Sequence, residues 1–223
     1  MISTSAAIFR WRPACWLRVT GDDAANFLQG QFTNDLRALP AAGAVYGLWL
    51  TLKGKVLADS FVLRGGEANA FWIGSYFSPA AVIQERLESH VIADDVIIED
   101  ETAAWAGVSV FEPMAPGETV GAVAGGFRFR GRRERAETVE WVYPVGKDEP
   151  AGREIGAEEV ERRRIAAGVP AIPIDVGPAD LPNEAGLETE AISYTKGCYL
   201  GQEVMARLKA MGQVRRRLVR VAG

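Results

Sequence analysis

Lys196-Gly197-Cys198-Tyr199-Leu200-Gly201-Gln202-Glu203 (KGCYLGQE) is where reactive residue types crowd together in this chain. It sets a thiol between a lysine and the start of a predicted helix, Gln202–Ala210 (QEVMARLKA), which Gly212 closes. Gly197 and Gly201 let the backbone bend. A cysteine ahead of a helix N-terminus, with an ammonium nearby, is placed where thiolate becomes accessible, so Lys196 is expected to favour ionisation of Cys198. The other reading is a tight loop around a cysteine packed as a small apolar residue. Tyr199 would pack over the loop or stack on a planar ligand. Gln202 and Glu203 fall in the first helical turn, where a carboxylate also suits the helix dipole.

The chain of 223 residues is long enough to bury a core, and its 48% hydrophobic and 24% charged content is that of a water-soluble globular protein. A formal net charge of −4 argues against a general nucleic-acid binder, and no direct nucleic-acid partner is expected. Arg215-Arg216-Arg217 with Arg220 reads as the solvent face of a strand. Two cysteines, Cys15 and Cys198, give neither a disulfide framework nor zinc spacing, and four thiolates for an iron–sulfur cluster are not available. No metal site is therefore assigned, although Cys198 would serve as a single ligand at a shared site. No apolar run approaches the length of a membrane span. The opening MISTSAAIFRWRP is faintly like a transit peptide but runs straight into the first strand, so a reduced, cytoplasmic home is expected.

Residues 14–20 (ACWLRVT) alternate, with Cys15, Leu17 and Val19 on one side and Trp16, Arg18 and Thr20 on the other, and read as a strand with Cys15 inward. Asp22 is placed to cap a short helix through Leu28 that Gly30 ends, and Thr33-Asn34-Asp35 supplies further cap-type residues. Residues 45–52 and 56–63 form a hairpin across Lys53-Gly54-Lys55. Ser78-Pro79 opens a helix reaching about Val91. Strands are expected over 71–74, 95–100, 105–111 and 139–145, a helix over 157–167 closed by Gly168, an irregular proline-rich connection over 169–186, and a strand over 214–221. Locally alternating helices and hairpins predict an α+β fold of antiparallel sheets with flanking helices.

KGCYLGQE resembles the signature of the YgfZ family, relatives of the folate-binding T-protein (aminomethyltransferase) of the glycine cleavage system. Residues 19–36 (VTGDDAANFLQGQFTNDL) resemble the family's N-terminal segment. Residues 164–170 (RIAAGVP) with Leu181-Pro182-Asn183-Glu184 resemble the segment before the signature. The resemblance implies a fold in which residues 1–211 form the folate-binding region, as one unit or two joined subdomains. Residues 212–223 would then begin a C-terminal β-barrel that is truncated or absent. It implies tetrahydrofolate or a one-carbon derivative as ligand, iron–sulfur client or assembly proteins as partners, support of clusters in tRNA-modifying and other enzymes, and a monomer. Cys198, Lys196 and Asp59 are the residues expected to carry chemistry. Asp35, Asn34, Arg164, Tyr199, Gln202, Glu203 and Glu184 are the expected folate contacts, with Arg164 meeting the tail carboxylate or else solvated on its helix. Asp35 is expected to reach the cavity and Thr33 to cap. T-protein carries an aspartate pair where this chain has Ala58-Asp59, which weighs against aminomethyl transfer. That transfer, with Asp59 as acid/base group, and a folate-independent docking scaffold remain the alternatives.

Overall fold

The computed structural model describes residues 6–37, 39, 43–112, 121–123, 125–147 and 150–221. Its elements in chain order are β1 (Ala7–Trp11), β2 (Cys15–Thr20), α1 (Ala24–Gln31), β3 (Ala44–Leu50), β4 (Val56–Arg64), β5 (Phe71–Ser75), α2 (Ala80–Glu88), β6 (Ile97–Asp100), β7 (Trp105–Val110), β8 (Gly121–Val123), β9 (Gly126–Arg130), β10 (Val139–Pro144), β11 (Arg153–Glu154), α3 (Ala157–Ala167) and α4 (Gln202–Met211), with short 3-10 turns at Thr102–Ala104 and Pro182–Ala185. A six-stranded sheet runs β11-β1-β7-β10-β9-β8, antiparallel except for the β1–β11 pair, and a five-stranded antiparallel sheet runs β3-β4-β5-β2-β6. This is the α+β architecture that the alternation of elements predicts.

The five-stranded sheet is buried on both faces. On one side α1 and α2 place Phe27, Leu28, Ile83 and Leu87 against Cys15, Leu17, Val62 and Ile73. On the other, Trp16, Phe61, Leu63 and Trp72 meet Trp105, Phe127, Phe129 and Val142 of the six-stranded sheet. The alternation in β2 therefore separates two cores rather than core from water: Cys15 points to the helices, while Trp16 on the opposite face is fully buried between the sheets. A third core forms where the chain after Val169 wraps back over the β3–β4 hairpin, burying Leu48, Leu50 and Val56 under Ile172, Leu187, Ile192, Tyr199 and Met205.

Several local expectations change. Helix α1 continues through Gly30 to Gln31. Residues 214–221 form no strand; the segment lies along the body, with Leu218 N–H donating to Glu184 O at 2.7 Å and Arg216 paired with Asp180 and Glu184. Strand β1, inside the stretch that resembled a leader, pairs with β7 and β11, and its Ile8 is fully buried.

Candidate functional site

Strands β3 and β4 pair so that Tyr46 faces Phe61 and Leu48 faces Asp59. With side chains alternating along a strand, these four share one face. Phe61 belongs to the inter-sheet core and Leu48 to the core under the C-terminal wrap, so Asp59 lies at the seam between two layers. A carboxyl buried there needs partners. Tyr46 Oη donates to Asp59 Oδ2 at 3.0 Å, Ser75 Oγ to Oδ1 at 3.1 Å, and Ser78 Oγ stands 2.7 Å from Oδ1. Ser78 does not cap α2, whose N-cap is Pro79; its hydroxyl accepts Asp59 N–H at 3.0 Å and lies 3.1 Å from Ile172 O. One hydroxyl proton cannot satisfy both the Ile172 carbonyl and a carboxylate, so a proton held on Asp59 completes the network. Burial acts in the same direction and raises the Asp59 pKa, against the lowering pull of Ser78, Arg132 and Tyr46.

Above this carboxyl opens a cavity of about 400 Å³, lined by Ala44, Tyr46, Phe61, Arg132, Glu134 and Glu190 among others. The Arg132 guanidinium lies 3.9 Å over the Tyr46 ring. It pairs with Glu190, Nη2 to Oε1 and Nε to Oε2 at 3.4 Å, and Arg132 N–H donates to Tyr76 Oη at 3.1 Å. Aromatic faces, a guanidinium and a buried acid beneath them suit a flat, partly anionic molecule of modest size. Asp59 is not among the cavity's lining residues; Tyr46 stands between it and the space.

The residues expected from sequence fall in several places. Cys198 is solvent-exposed on the loop before α4. Lys196, two residues earlier, is buried, and its Nζ donates to Gln29 O, Phe32 O and Asn34 O at 2.7, 2.7 and 2.9 Å, with burial pulling its pKa down to about 8. Its ammonium thus fastens the loop to the end of α1, while the thiol two residues on faces water. The same loop is seated by Gly201, whose φ of +85° is left-handed and where a Cβ would stand 2.8 Å from Thr51 O. Tyr199 is buried in the C-terminal core, which leaves no face for stacking on a ligand. Gln202 and Glu203 open α4 without a cap bond, and Glu203 pairs with Arg207 at 2.7 Å on the surface.

Asp35 does not line the cavity. Arg37 grips its carboxylate at 2.8 and 3.0 Å and holds its pKa well below the usual range, with Gln29 adding a bond at 2.9 Å. Thr33 caps no helix: it is fully buried, donating to Ala191 O at 2.7 Å and accepting from Leu48 N–H at 2.8 Å. Asn34 Nδ2 donates to Tyr46 O at 2.9 Å and Glu190 O at 3.0 Å. The Thr33-Asn34 pair therefore ties β3 to residues 190–191, and a cap-type composition did not distinguish this from capping. Arg164 lines an adjoining cavity of about 240 Å³ but is buried and committed to Glu161 and to Asp175, the latter at 2.6 Å. Glu184 lines a third cavity of about 770 Å³ and is held by Leu181 N–H and Arg216. Tyr46, Ser75, Arg132 and Glu190 were not singled out in sequence, and Ser78 was read only as the opening of a helix. The one local signal was the alternation that puts Tyr46 on the face of Leu48 and Leu50.

Residues 1–120 match the model of the GCVT N-terminal domain. The chain belongs to this family. The chain is similar to the human mitochondrial iron-sulfur cluster assembly factor IBA57, 33% identical over 237 residues, which cover 95% of this chain and 65% of that protein. The tRNA-modifying protein YgfZ of Edwardsiella ictaluri (strain 93-146) is 27% identical over 235 residues, 96% of this chain and 69% of that protein. In structure the fold matches the crystal structure of glycine cleavage system aminomethyltransferase T from Bartonella henselae with a TM-score of 0.71 at 16% identity, covering 92% of this chain and 64% of that one. The chain thus spans just under two thirds of the length of the human relative and of the Bartonella protein. Among the described residues of this family member, no helix is long and apolar enough to cross a membrane, and no group of three or more His, Cys, Asp or Glu is placed to hold a metal ion.

The acid at the seam of this GCVT N-terminal domain carries a prediction. A carboxyl whose pKa is higher folded than unfolded keeps its proton in the native state where the unfolded chain has lost it. Stability then falls as pH rises from about 4 through the raised value. Buried Glu140 is shifted the same way and contributes to both proteins compared. Asp59→Asn removes one titration, so its stability relative to wild type should grow from pH 4 toward neutrality, as read by urea unfolding at several pH values. Parallel curves for the two proteins would place Asp59 outside the pH dependence.

Proposed function

We propose that this chain is a folate-binding accessory protein that supports assembly or repair of iron–sulfur clusters in client enzymes, tRNA-modifying ones included, with Cys198 as its working thiol. The observation that carries this reading is the exposure of Cys198 on a loop fastened from beneath by Lys196. The names of the relatives, an iron-sulfur cluster assembly factor and a tRNA-modifying protein, point the same way. A single thiol supplies one bond to a cluster, so the remaining ligands would come from a partner or client protein; the cluster is cargo here. A reducing compartment, the cytoplasm in our reading, suits two free cysteines.

Tetrahydrofolate or a one-carbon derivative is the ligand we assign to the 400 Å³ cavity. Tyr46, half-buried at the cavity wall, would border its flat part and Arg132 would take a carboxylate of its tail. When bound, the group supplies a carrier for a one-carbon unit. The chain's own part is to hold it, with Tyr46 fixed beside the cavity by the bond from its Oη to Asp59.

One-carbon transfer of the T-protein kind is the second reading, favoured by the buried, hydrogen-bonded Asp59. Ala58 beside it and the intervening Tyr46 count against it. Cys198→Ala separates the two. It should fold within about 0.5 kcal/mol of wild type, since an exposed side chain is removed, yet fail to restore cluster-dependent enzyme activity in cells lacking the protein. Full restoration by Cys198→Ala would overturn the thiol's role and leave transfer or scaffolding.

A further inference from the structure

Arg132 and Glu190 are unequal partners. The guanidinium is 13% exposed, laid on the Tyr46 ring and anchored through its backbone N–H to Tyr76 Oη, whereas the Glu190 side chain is 50% exposed. The arginine is built into the cavity wall; the acid can swing to water at little cost. Glu190 meets it in the fork geometry, through both Nε and Nη2, that any carboxylate would adopt. The other cavity arginines are engaged elsewhere: Arg130 pairs with Glu137 at 2.8 Å and Arg135 donates to Ala167 O at 2.7 Å. The Glu190 backbone is held independently of its carboxylate. Its carbonyl accepts from Asn34 and the next carbonyl, Ala191 O, from Thr33, and the chain then runs to Lys196, whose ammonium holds Asn34 O.

We infer that Glu190 is an internal stand-in for a ligand carboxylate: an acidic ligand takes its place on Arg132 while the Glu190 side chain turns to water. The inference rests on the reading of the cavity as a folate site, and it adds a competitor inside the chain. It makes the cavity selective for a ligand that brings its own carboxylate, because an uncharged one would have to bind beside the intact pair.

Calorimetric titration of the full chain with tetrahydrofolate, and with a tetrahydropterin lacking the glutamate tail, tests this on wild type, Glu190→Gln and Arg132→Gln. Glu190→Gln changes an exposed side chain and keeps the fold testable even if Arg132→Gln does not fold. Tetrahydrofolate should bind Glu190→Gln about threefold more tightly than wild type and Arg132→Gln at least about tenfold more weakly, while the tail-less pterin is indifferent to Glu190→Gln. Tetrahydrofolate binding that is equal in wild type and Glu190→Gln overturns the stand-in and leaves the folate site standing. Absence of binding to all three proteins at high micromolar ligand removes the folate reading and this inference together.

Discussion

Trp16→Ala should destabilise the protein by about 4 kcal/mol, measured as a drop in the urea midpoint at unchanged slope. Trp16 is fully buried and forms the hub of the seam between the sheets, 5.9 Å from Trp72, 5.6 Å from Trp105 and 5.6 Å from Phe127 by ring centroids. Opposite it, Gly74 makes room: a Cβ there would stand 2.2 Å from Trp16 Cζ3. Rings held on two independent sheets cannot close over the space left by an indole, so the cavity term adds to the lost transfer energy. Against the roughly 5–15 kcal/mol that typically holds a domain together, this is a large fraction. The indole Nε1 has no hydrogen-bond partner, so Trp16→Phe should recover more than half of the loss. A cost under about 1.5 kcal/mol for the alanine variant would mean that the sheets close up freely and that the seam carrying Asp59 is not fixed by this core.

Lys196→Met should cost about 3 kcal/mol and free the loop that presents Cys198. The ammonium satisfies three carbonyls at the end of α1 and in the segment after it. Gln29 O, at the helix end, has no intrahelical donor, and a methionine offers none to it or to Phe32 O and Asn34 O. Burial opposes the arrangement, pulling the lysine down to about 8, so the net loss is less than three charged hydrogen bonds would sum to. Limited proteolysis between 190 and 201 should accelerate more than unfolding alone explains. Unchanged cleavage together with unchanged stability would show that the loop is held by the packing of Tyr199 and Met205 instead.

Where the sequence was legible, the reason was local. Helix α3 spans Ala157–Ala167 and stops at left-handed Gly168, the closing glycine that the sequence offers. The β3–β4 hairpin turns at Lys53-Gly54-Lys55, with Gly54 N–H bonded to Thr51 O at 2.9 Å. Where it was not, the deciding contacts were distant. Strand β1 is defined by partners at 107–110 and 153–154. Residues 214–221 have strand-forming side chains, but they lie against Asp180 and Glu184 without entering a sheet. Asp59 could be noticed as a lone acid in a strand, yet its setting comes from residues 46, 75, 78 and 172, and Arg132 and Glu190 reach the cavity from two further segments. Ser78 before a proline looks like a cap, and only the fold diverts its hydroxyl to a carboxyl. Arg164 stood in a family-like segment, but Glu161 and Asp175 close around it.

In the proposed function the folate sits in the space above Tyr46. Calorimetry with tetrahydrofolate on wild type and on Ala44→Trp, which projects an indole from β3 into that space, tests it most directly. We expect saturable binding to wild type and none to Ala44→Trp, with both proteins unfolding at the same urea concentration. Equal affinity in the two would put the ligand elsewhere on the molecule and contradict the account.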